Sequence, residues 1–481
     1  MRRINYERTA FVPYHERQLK LDRMRQLLTH LGQPDAGMKI VHVAGTKGKG
    51  STSAMIAAML TAAGYRTGVF SSPHLERIEE RFAVDGAPCS ADELVALVNR
   101  IIPVVRAMDA EAGEPASAGG DEPTSPAGST YFEITTAIAL LHFVERQVDA
   151  AVLEVGLGGR LDSTNVCLPA VSVITSISFD HMRQLGNTLA AIAREKAGII
   201  KPGVPVVCGV TDSEPQAVIE QIARDHGCRL IQLGRDFDFQ YLRAGSLVSR
   251  DAERVSATTA ERAIASSRSQ GEISFDFTIP GQEYRLDYSP LAMPGRHQAA
   301  NAAVALATIC ELRHQGWCIS NDAVSLGLSR AALPGRVEVF AGDPMIVVDT
   351  AHNPASARAL INTLAELPPA SRRTLVLSVS HDKDVPAIVR ELAHHFDRII
   401  ATQYQDNYRA VPADELLQIV CSVCSNGDVQ VIMRPVPFDA WQYVRESSIP
   451  GERICIAGSF YLAAEMRPLI QAAVASERLN R

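Results

Sequence analysis

Short apolar segments alternate with longer amphipathic segments along most of this chain. The apolar segments in its first half are rich in β-branched residues and read "KIVHVAG", "RTGVFSS", "AAVLEVG", "VSVITSIS" and "VPVVCGV". Strands that are separated by helix-length segments are typical of α/β domains with mainly parallel sheets. The pattern therefore predicts an α/β fold.

The same alternation begins again at Met345. Five further apolar segments follow, "MIVVDTAH", "RTLVLSVS", "RIIATQ", "VQVIMRP" and "RICIAGS", again with helix-length spacing. Five such strands are enough for a second, doubly wound, Rossmann-like domain. "LPGR", at 333–336, supplies Pro and Gly just before this domain. We therefore predict a first domain at 1–332 and a second at 333–481.

Two segments interrupt the alternation. The segment near 110–129 is rich in Ala, Gly, Pro, Ser and Glu, and the segment near 250–272 is polar with small residues. Neither contains enough apolar side chains to offset the entropy of ordering it. We expect both to be surface insertions.

Composition limits the classes of function. The 481 residues are too many for one ordinary core, and 46% hydrophobic with 21% charged residues is usual for a globular protein. A net charge of −7 argues against a general binder of nucleic acid or anionic membranes. We find neither a spanning apolar run nor a signal peptide, and the nine cysteines are scattered. We expect a cytoplasmic protein with reduced thiols and no nucleic-acid or membrane partner.

The segment "VHVAGTKGKGSTSAMIAAML", at 41–60, predicts a strand, a glycine-rich turn and a helix that begins near Gly48. Free backbone N–H groups at such a helix start attract an anion, and the helix dipole adds to the attraction. Lys49 would reach terminal phosphates and the Ser51 hydroxyl would reach Mg²⁺. The spacing departs from the usual phosphate loop, because Gly50 separates the lysine from the serine.

Three later residues are candidates for the same chemistry. Glu154 ends an apolar strand, where phosphate-loop enzymes place the acid that holds magnesium. His181 follows another strand, and Lys196 lies in the helical segment "TLAAIAREKAGII". Taken alone, a histidine there is more often a packed residue and a helix lysine is more often a solvated one.

Together with other motifs, these residues resemble a known family. The motifs, in chain order, are "GTKGKGST", "SSPHL", "FEITTAIALLHF", "EVGLGGRLDSTNV", "DHMRQLGNTLAAIAREKAGIIKPG", "MPGRHQAANAAVALA", "LPGR", "DTAHNP" and "GSFYLAAEM". In this order they resemble the folylpolyglutamate synthases, which include bifunctional dihydrofolate synthases and belong to the Mur ligase superfamily. The resemblance covers nearly the whole chain except the two insertions.

The resemblance implies an ATP-dependent amide ligase. Such an enzyme transfers the γ-phosphate of ATP to a folate carboxylate, and the amino group of L-glutamate then attacks the acyl phosphate. The implied partners are small molecules: ATP, L-glutamate and a reduced folate, with dihydropteroate left open as a second acceptor. We expect a monomer.

The resemblance also implies roles for particular residues. It assigns the ATP phosphates to Gly48, Lys49, Gly50 and Ser51. It assigns one magnesium ion to Ser72 and Glu154 and a second to His181, with a carbamylated Lys196 beside them and room for a monovalent cation. It assigns further ATP contacts to Asn301, Arg336, Asp349 and His352. Lys49, His181 and Lys196 are the implied catalytic residues.

Some positions depart from the family pattern or carry an expectation of their own. Lys47 stands where many bacterial members have asparagine, and His381 stands where a small or apolar residue is more usual. Arg336 and Asp349 lie in the second predicted domain, so contact with ATP would require the two domains to close. Asp349 is expected at a strand end, outside the core pattern.

Two other functions were weighed against this one. A cell-wall Mur ligase would carry a domain for its UDP-linked substrate before the phosphate loop, and about forty residues are too few for it. A nucleotide-binding regulator without ligase activity would tolerate the loss of Glu154, His181 and Lys196, yet all three are present.

Overall fold

A computed structural model of the protein describes residues 19–111, 128–243, 271–405, 407–424, 427 and 429–479. The predicted insertions therefore lie largely outside the described residues. Where their ends are described, 110–111 complete a helix and 271–272 begin a strand. The end of the second insertion was therefore placed too late in the sequence.

The described residues divide into two compact units. The first contains the residues described within Met1–Tyr241, Glu272–Ala292 and Gln298–Ala332. The second contains those within Leu242–Gly271, Met293–His297 and Leu333–Arg481. These bounds differ from the predicted domains in the short segments 242–271 and 293–297.

The first unit is built on an eight-stranded sheet. Its strands are β1 (Ile40–Ala44), β2 (Thr67–Phe70), β3 (Phe82–Val84), β4 (Ala87–Pro88), β5 (Ala150–Glu154), β6 (Val171–Ile174), β7 (Val206–Cys208) and β8 (Leu230–Gln232). The helices of this part of the chain are α1 (Leu19–His30), α2 (Lys49–Ala62), α3 (Ala91–Glu111), α4 (Tyr131–Glu145), α5 (Met182–Leu185), α6 (Leu189–Ala197), α7 (Ser213–Asp225), α8 (Arg296–His314) and α9 (Asn321–Arg330). Short 3-10 helices occur at Ile78–Arg81 and Ser163–Val166.

The strand order in this sheet is β4-β3-β2-β5-β1-β6-β7-β8, and β1 lies between β5 and β6, parallel to both. Every residue of β1, β5 and β6 is buried, as expected for central parallel strands covered on both faces. The carboxyl ends of β1, β2, β5 and β6 therefore lie along one edge of the sheet. The predicted fold, α/β with mainly parallel sheets, is confirmed.

A three-stranded sheet was not expected from the sequence. It contains β9 (Phe237–Leu242), β10 (Gly271–Ile279) and β11 (Gln282–Leu291), in the order β11-β10-β9. A two-residue turn joins β10 to β11, and Gly281 in that turn has a φ of 81°. Alternating buried and exposed positions in β10 show that one face of the hairpin is covered.

The second unit contains a six-stranded sheet in the order β12-β13-β17-β14-β15-β16. Its strands are β12 (Glu338–Phe340), β13 (Met345–Val348), β14 (Arg373–Leu377), β15 (Arg398–Ala401), β16 (Gln430–Met433) and β17 (Arg453–Ala457). The helices are α10 (Pro354–Leu364), α11 (Val385–Ala393), α12 (Ala413–Val423), α13 (Pro437–Glu446) and α14 (Phe460–Leu479). The five predicted strands, β13 to β17, are all parallel, and β12 adds an antiparallel edge.

Two further expectations concern the chain as a whole. All nine cysteines are free thiols. Among the described helices, none is both long and apolar enough to cross a membrane.

Candidate functional site

The turn between β1 and α2 holds the predicted phosphate-binding glycines. Gly48 directly precedes α2 and has φ 83° and ψ −7°, a left-handed conformation that glycine adopts at little cost. A Cβ at this position would lie 2.1 Å from Oδ1 of Asn301 on α8. The structure thus brings Asn301 to the turn, and both the conformation and the close approach require glycine at position 48.

Lys49, Gly50 and Ser51 form the start of α2. The Ser51 side chain is buried, and no acidic residue lies in the first turn of the helix. The positive end of the helix dipole is therefore not neutralised by an acidic side chain of its own first turn, which suits an incoming anion.

Glu154 and Ser72 lie on neighbouring strands or just beyond them. Glu154 is the last residue of β5, is 5% exposed, and pairs in register with Val43 of β1. Ser72 follows β2, whose last residue, Phe70, pairs with Leu153. The parallel pairing places both side chains at the edge of the sheet where the β1–α2 turn begins.

Lys196, on α6, is buried, with only 4% of its surface exposed. Its Nζ donates a hydrogen bond of 2.9 Å to the carbonyl oxygen of Gly45 in the β1–α2 turn. Burial, together with the positive charges of Lys49 and Lys47, lowers the pKa of Lys196 to about 7, although the negative charges of Asp180 and Asp162 oppose this shift. This lysine is therefore neither solvated nor held firmly in its charged form.

His181 lies beyond the end of β6 in a left-handed conformation, with φ 48° and ψ 39°. Its side chain is about half exposed, and its Nε2 lies 3.9 Å from Oδ1 of Asp180. A left-handed non-glycine residue carries strain that is often found at functional positions.

The donor set at this edge is sparse. Among the described residues, no group of three His, Cys, Asp or Glu side chains could hold a metal ion by itself. Glu154 and His181 are the only residues of those four types in the predicted ligand set, which also contains Ser72 and Lys196. The two oxygen donors of the set, Ser72 and Glu154, suit Mg²⁺, which prefers oxygen ligands and commonly uses one or two carboxylates together with water and phosphate oxygens.

In the second unit, Asp349 follows β13 and is buried. Its Oδ2 accepts a hydrogen bond from the Val337 N–H at 2.9 Å, and its Oδ1 accepts one from the Ala351 N–H at 2.7 Å. Burial raises the pKa of Asp349, while the positive charge of Arg336 and these two bonds lower it. Asp349 thus lies at the strand end, as expected, and its buried carboxylate fixes the backbone next to Arg336.

His352 lies three residues after Asp349. Its Nδ1 is 2.8 Å from the carbonyl oxygen of Thr350, and its backbone N–H donates to Oγ of Ser356 at the start of α10. Both contacts are local, so they orient the imidazole within its own turn.

Sequence reasoning missed several residues that shape the site. Asp162 accepts hydrogen bonds from the N–H groups of Gly156 and Leu157, two and three residues after Glu154, at 3.1 and 3.0 Å. Gly45 is required as glycine because a Cβ there would lie 1.9 Å from Oγ1 of Thr175. The position of Asp162 within "EVGLGGRLDSTNV" offered a signal, whereas nothing local marked the approach of Thr175.

Comparison with known proteins identifies the family of the chain. Residues 104–309 match the Mur ligase middle domain, and residues 335–460 match the Mur ligase, glutamate ligase domain. The chain is 36% identical to the dihydrofolate synthase/folylpolyglutamate synthase of Bacillus subtilis over 450 residues, which are 93% of this chain and 94% of that protein.

Two solved structures are similar over most of their length. Mycobacterium tuberculosis folylpolyglutamate synthase complexed with ADP has a TM-score of 0.78, with 31% identity, and 94% of each chain is covered. E. coli FolC in complex with DHPP and ADP has a TM-score of 0.74, with 29% identity over 94% of this chain and 93% of that one. From this similarity along nearly its whole length, the chain belongs to the folylpolyglutamate synthase and dihydrofolate synthase family of Mur ligases.

Proposed function

We propose that this protein is an ATP-dependent amide ligase that adds L-glutamate to the carboxylate of a folate. The observation that carries the proposal is the 36% identity to a dihydrofolate synthase/folylpolyglutamate synthase over 93% of the chain. The glycine turn before α2 and the acid that ends β5 support it, because an ATP-dependent ligase needs both.

The reaction has two steps. A carboxylate oxygen of the folate attacks the γ-phosphorus of ATP, the bond to the β-phosphate oxygen breaks, and ADP leaves. The neutral amine of glutamate then attacks the acyl carbon, the C–O bond to phosphate breaks, and the amide, inorganic phosphate and a proton are released. Both reactants of the first step are anions, so cations must offset their repulsion.

The residues at the β1–α2 turn are suited to hold ATP. The backbone of Gly48, Lys49, Gly50 and Ser51 would take the phosphates, with the Lys49 ammonium facing the γ-phosphate. Asn301, which lies against Gly48, would contact the same nucleotide. Arg336, Asp349 and His352 remain proposed ATP contacts, and Asp349 would act by holding the backbone next to Arg336.

Magnesium fits the donors at this edge of the sheet. Ser72 and Glu154 would hold one ion and His181 a second, with phosphate oxygens completing each shell. Bound there, magnesium would neutralise charge on the phosphates. A monovalent cation bound at this site would likewise neutralise negative charge on the phosphates.

Lys196 is suited to carbamylation. Burial and two neighbouring lysines favour its neutral amine, the form that adds CO₂ with release of a proton. The resulting carbamate would exchange a positive charge for a negative oxygen ligand beside magnesium, which removes an unfavourable charge from the site. We propose Lys49, His181 and Lys196 as the catalytic residues.

The acceptor is best identified by product formation. We would measure ADP release with tetrahydrofolate, with dihydropteroate and with a UDP-muramoyl substrate, each with and without L-glutamate. Release that needs both a folate or pteroate and glutamate is expected, and the two acceptors separate polyglutamylation from dihydrofolate synthesis. ATP binding without any release would instead favour a nucleotide-binding regulator, and release with the muramoyl substrate alone would favour a cell-wall ligase.

The Lys49 side chain offers the most direct test of the phosphate site. Lys49→Ala should lower turnover by about 100-fold or more, because a cation facing a transferring phosphoryl group stabilises developing charge. Arg100→Ala is the matched control, since Arg100 is an exposed cation on α3 whose side chain is 52% accessible. Turnover near the wild-type level in Lys49→Ala would show that the phosphates bind elsewhere.

A further inference from the structure

The β1–α2 turn is hydrogen-bonded along its length to the segment that follows β6. The Thr46 N–H donates to the Ser176 carbonyl oxygen at 2.8 Å, and the Ser178 N–H donates to Oγ1 of Thr46 at 3.1 Å. The Lys47 N–H donates to Oγ of Ser176 at 3.0 Å, and Oγ1 of Thr175 donates to the Lys47 carbonyl oxygen at 2.7 Å. These contacts join two segments that are about 130 residues apart in the chain.

One ion pair, between Lys47 and Asp180, extends this row of contacts toward His181. The ammonium of Lys47 lies 3.6 Å from Oδ2 of Asp180, and the two side chains are only 35% and 23% exposed. The other oxygen of the same carboxylate, Oδ1, accepts the N–H of His181 at 3.0 Å. Asp180 therefore connects the phosphate-binding turn to the backbone of a left-handed residue.

The surroundings of Asp180 should make its ion pair with Lys47 stronger than an ordinary ion pair on the protein surface. Lys47 and Lys49 both act on buried Lys196 with the same sign, and Asp180 acts on it with the opposite sign. The charges of Lys47, Lys49 and Asp180 therefore all act on Lys196, and Asp180 has the larger effect of the two carboxylates, Asp180 and Asp162, that oppose the lysines. Because both side chains of the Lys47–Asp180 pair are partly shielded from water, solvent is expected to screen this pair less than an exposed one.

We propose that Lys47 and Asp180 are positioning residues whose ion pair holds the His181 segment against the phosphate-binding turn. The ion pair would keep the His181 imidazole near the phosphates before the metal binds. Loss of the ion pair should therefore weaken metal binding more than nucleotide binding. The proposal rests on the proposed function only in assigning a metal ion to His181.

Hydrogen exchange tests the tether without any metal or turnover. In Lys47→Met and in Asp180→Asn, peptides covering residues 176–186 should exchange about 2- to 10-fold faster than in the wild-type protein. Asparagine at 180 still accepts the His181 N–H, so this substitution removes the ion pair and keeps that hydrogen bond. Asp180→Ala removes both and should exchange fastest. The control, Arg100→Gln, breaks an inter-helix ion pair of 2.9 Å with Glu145 and should leave these peptides unchanged.

The double variant decides whether the two residues act as one pair. Lys47→Met combined with Asp180→Asn should match either single variant, because the second change removes nothing further. Additive effects would overturn the proposal, since Lys47 and Asp180 would then act independently. Wild-type exchange in Lys47→Met would overturn it as well.

Metal binding provides the second readout. Mn²⁺, titrated into the ADP complex and followed by electron paramagnetic resonance, should bind about 3- to 10-fold more weakly in either single variant. The affinity for ADP without metal should stay within about 2-fold of wild type. A fall in metal-free ADP affinity that exceeds the loss of Mn²⁺ affinity would make Lys47 a direct phosphate ligand and overturn the positioning role. Absence of ligase turnover in the wild-type protein would count against the proposed function alone, because the exchange experiment needs no turnover.

Discussion

At the scale of single residues, the site depends on close approaches that leave no room for larger or differently charged groups. Gly48 approaches Asn301, and Gly45 approaches Thr175, so closely that a Cβ atom at either position would overlap a side-chain oxygen. Lys196 is buried against the carbonyl oxygen of Gly45. Each of these residues is therefore constrained by its neighbours as well as by the nucleotide that the site is proposed to bind.

The first prediction at this scale concerns Gly48→Ala. A left-handed non-glycine residue costs about 1 to 2 kcal/mol, and the added methyl group would also displace the Asn301 amide. We expect weaker ADP binding and a lower melting temperature. Gly64→Ala is the matched control, because Gly64 has a φ of 90° and no heavy atom within 4 Å of its built Cβ. Gly64→Ala should lower the melting temperature through backbone strain alone and leave ADP binding intact. Equal ADP affinity in the two variants would contradict the close approach of Gly48 to Asn301.

The second prediction concerns Lys196→Ala. If the lysine carries a carbamate, the variant should be nearly inactive and should recover part of its turnover in acetate or formate, which can supply the missing carboxylate oxygens. The wild-type protein should lose activity when CO₂ and bicarbonate are removed, and regain it when bicarbonate is added. Full activity of Lys196→Ala, or wild-type turnover that does not respond to bicarbonate, would rule out the carbamate.

At the scale of elements, a buried ion network joins the strands of the second unit at the end opposite Asp349. Glu452, directly before β17, has a fully buried side chain that accepts from Arg398 on β15 at 2.9 Å and from Arg372, before β14, at 2.6 Å. Thr374 on β14 donates to the same carboxylate. These charges are paired and hydrogen-bonded, which is the condition under which buried ions are tolerated.

Removing one partner from this network should be costly. Glu452→Ala leaves the Arg398 guanidinium buried, with 2% of its side chain exposed, and should lower the free energy of unfolding by about 3 to 5 kcal/mol. Glu391→Gln, which breaks a pair with the 66% exposed Arg358, should cost far less, because solvent screens an exposed pair. Denaturant unfolding followed by Trp441 fluorescence in a Trp317→Phe background reports on the second unit, where Trp441 lies. Similar losses in the two variants would show that the network adds little.

At the scale of the whole molecule, each unit contains a histidine that resists protonation, His42 fully buried and His297 partly buried. Burial, with a smaller contribution from the positive charge of Lys201, lowers the pKa of His42, on β1, from 6.5 to about 3. Burial likewise lowers the pKa of His297, in the second unit, to about 4, with a smaller effect of Arg336. Below pH 6.5 the unfolded chain takes up protons that the folded chain does not, so both units should lose stability as the pH falls toward these values.

The pH dependence can be measured for the first unit alone. Between pH 7.5 and pH 5, His42 should lower the free energy of unfolding by about 2 kcal/mol. Trp317 lies in the first unit, so its fluorescence in a Trp441→Phe background follows that unit through denaturant unfolding. His42→Gln should show a smaller loss over the same pH range, whatever its stability at pH 7.5. An unchanged pH dependence would mean that other groups dominate the acid response.

The sequence by itself determined the alternation of strands and helices and the residue types of the predicted phosphate-binding turn. Both follow from local patterns: the ten predicted strands are short apolar runs, and the glycine and lysine of the turn are adjacent in the chain. The hairpin of β10 and β11 was not predicted, because the segment before β10 consists mainly of small and polar residues. Such residues hide the start of a strand in the sequence.

Only the tertiary structure decided the environments on which the chemistry depends. Lys196 meets a carbonyl oxygen 151 positions away, and its lowered pKa comes from burial and from the two lysines of the turn. Asp349 is buried, and two backbone N–H groups that donate to its carboxylate, one of them 12 residues away, offset the cost of this burial. Asp180 lies at the end of a row of contacts between the β1–α2 turn and the segment after β6, and no local sequence pattern reveals these contacts. Desolvation and charge pairing depend on which distant segments pack together, so they become visible only when the chain is folded.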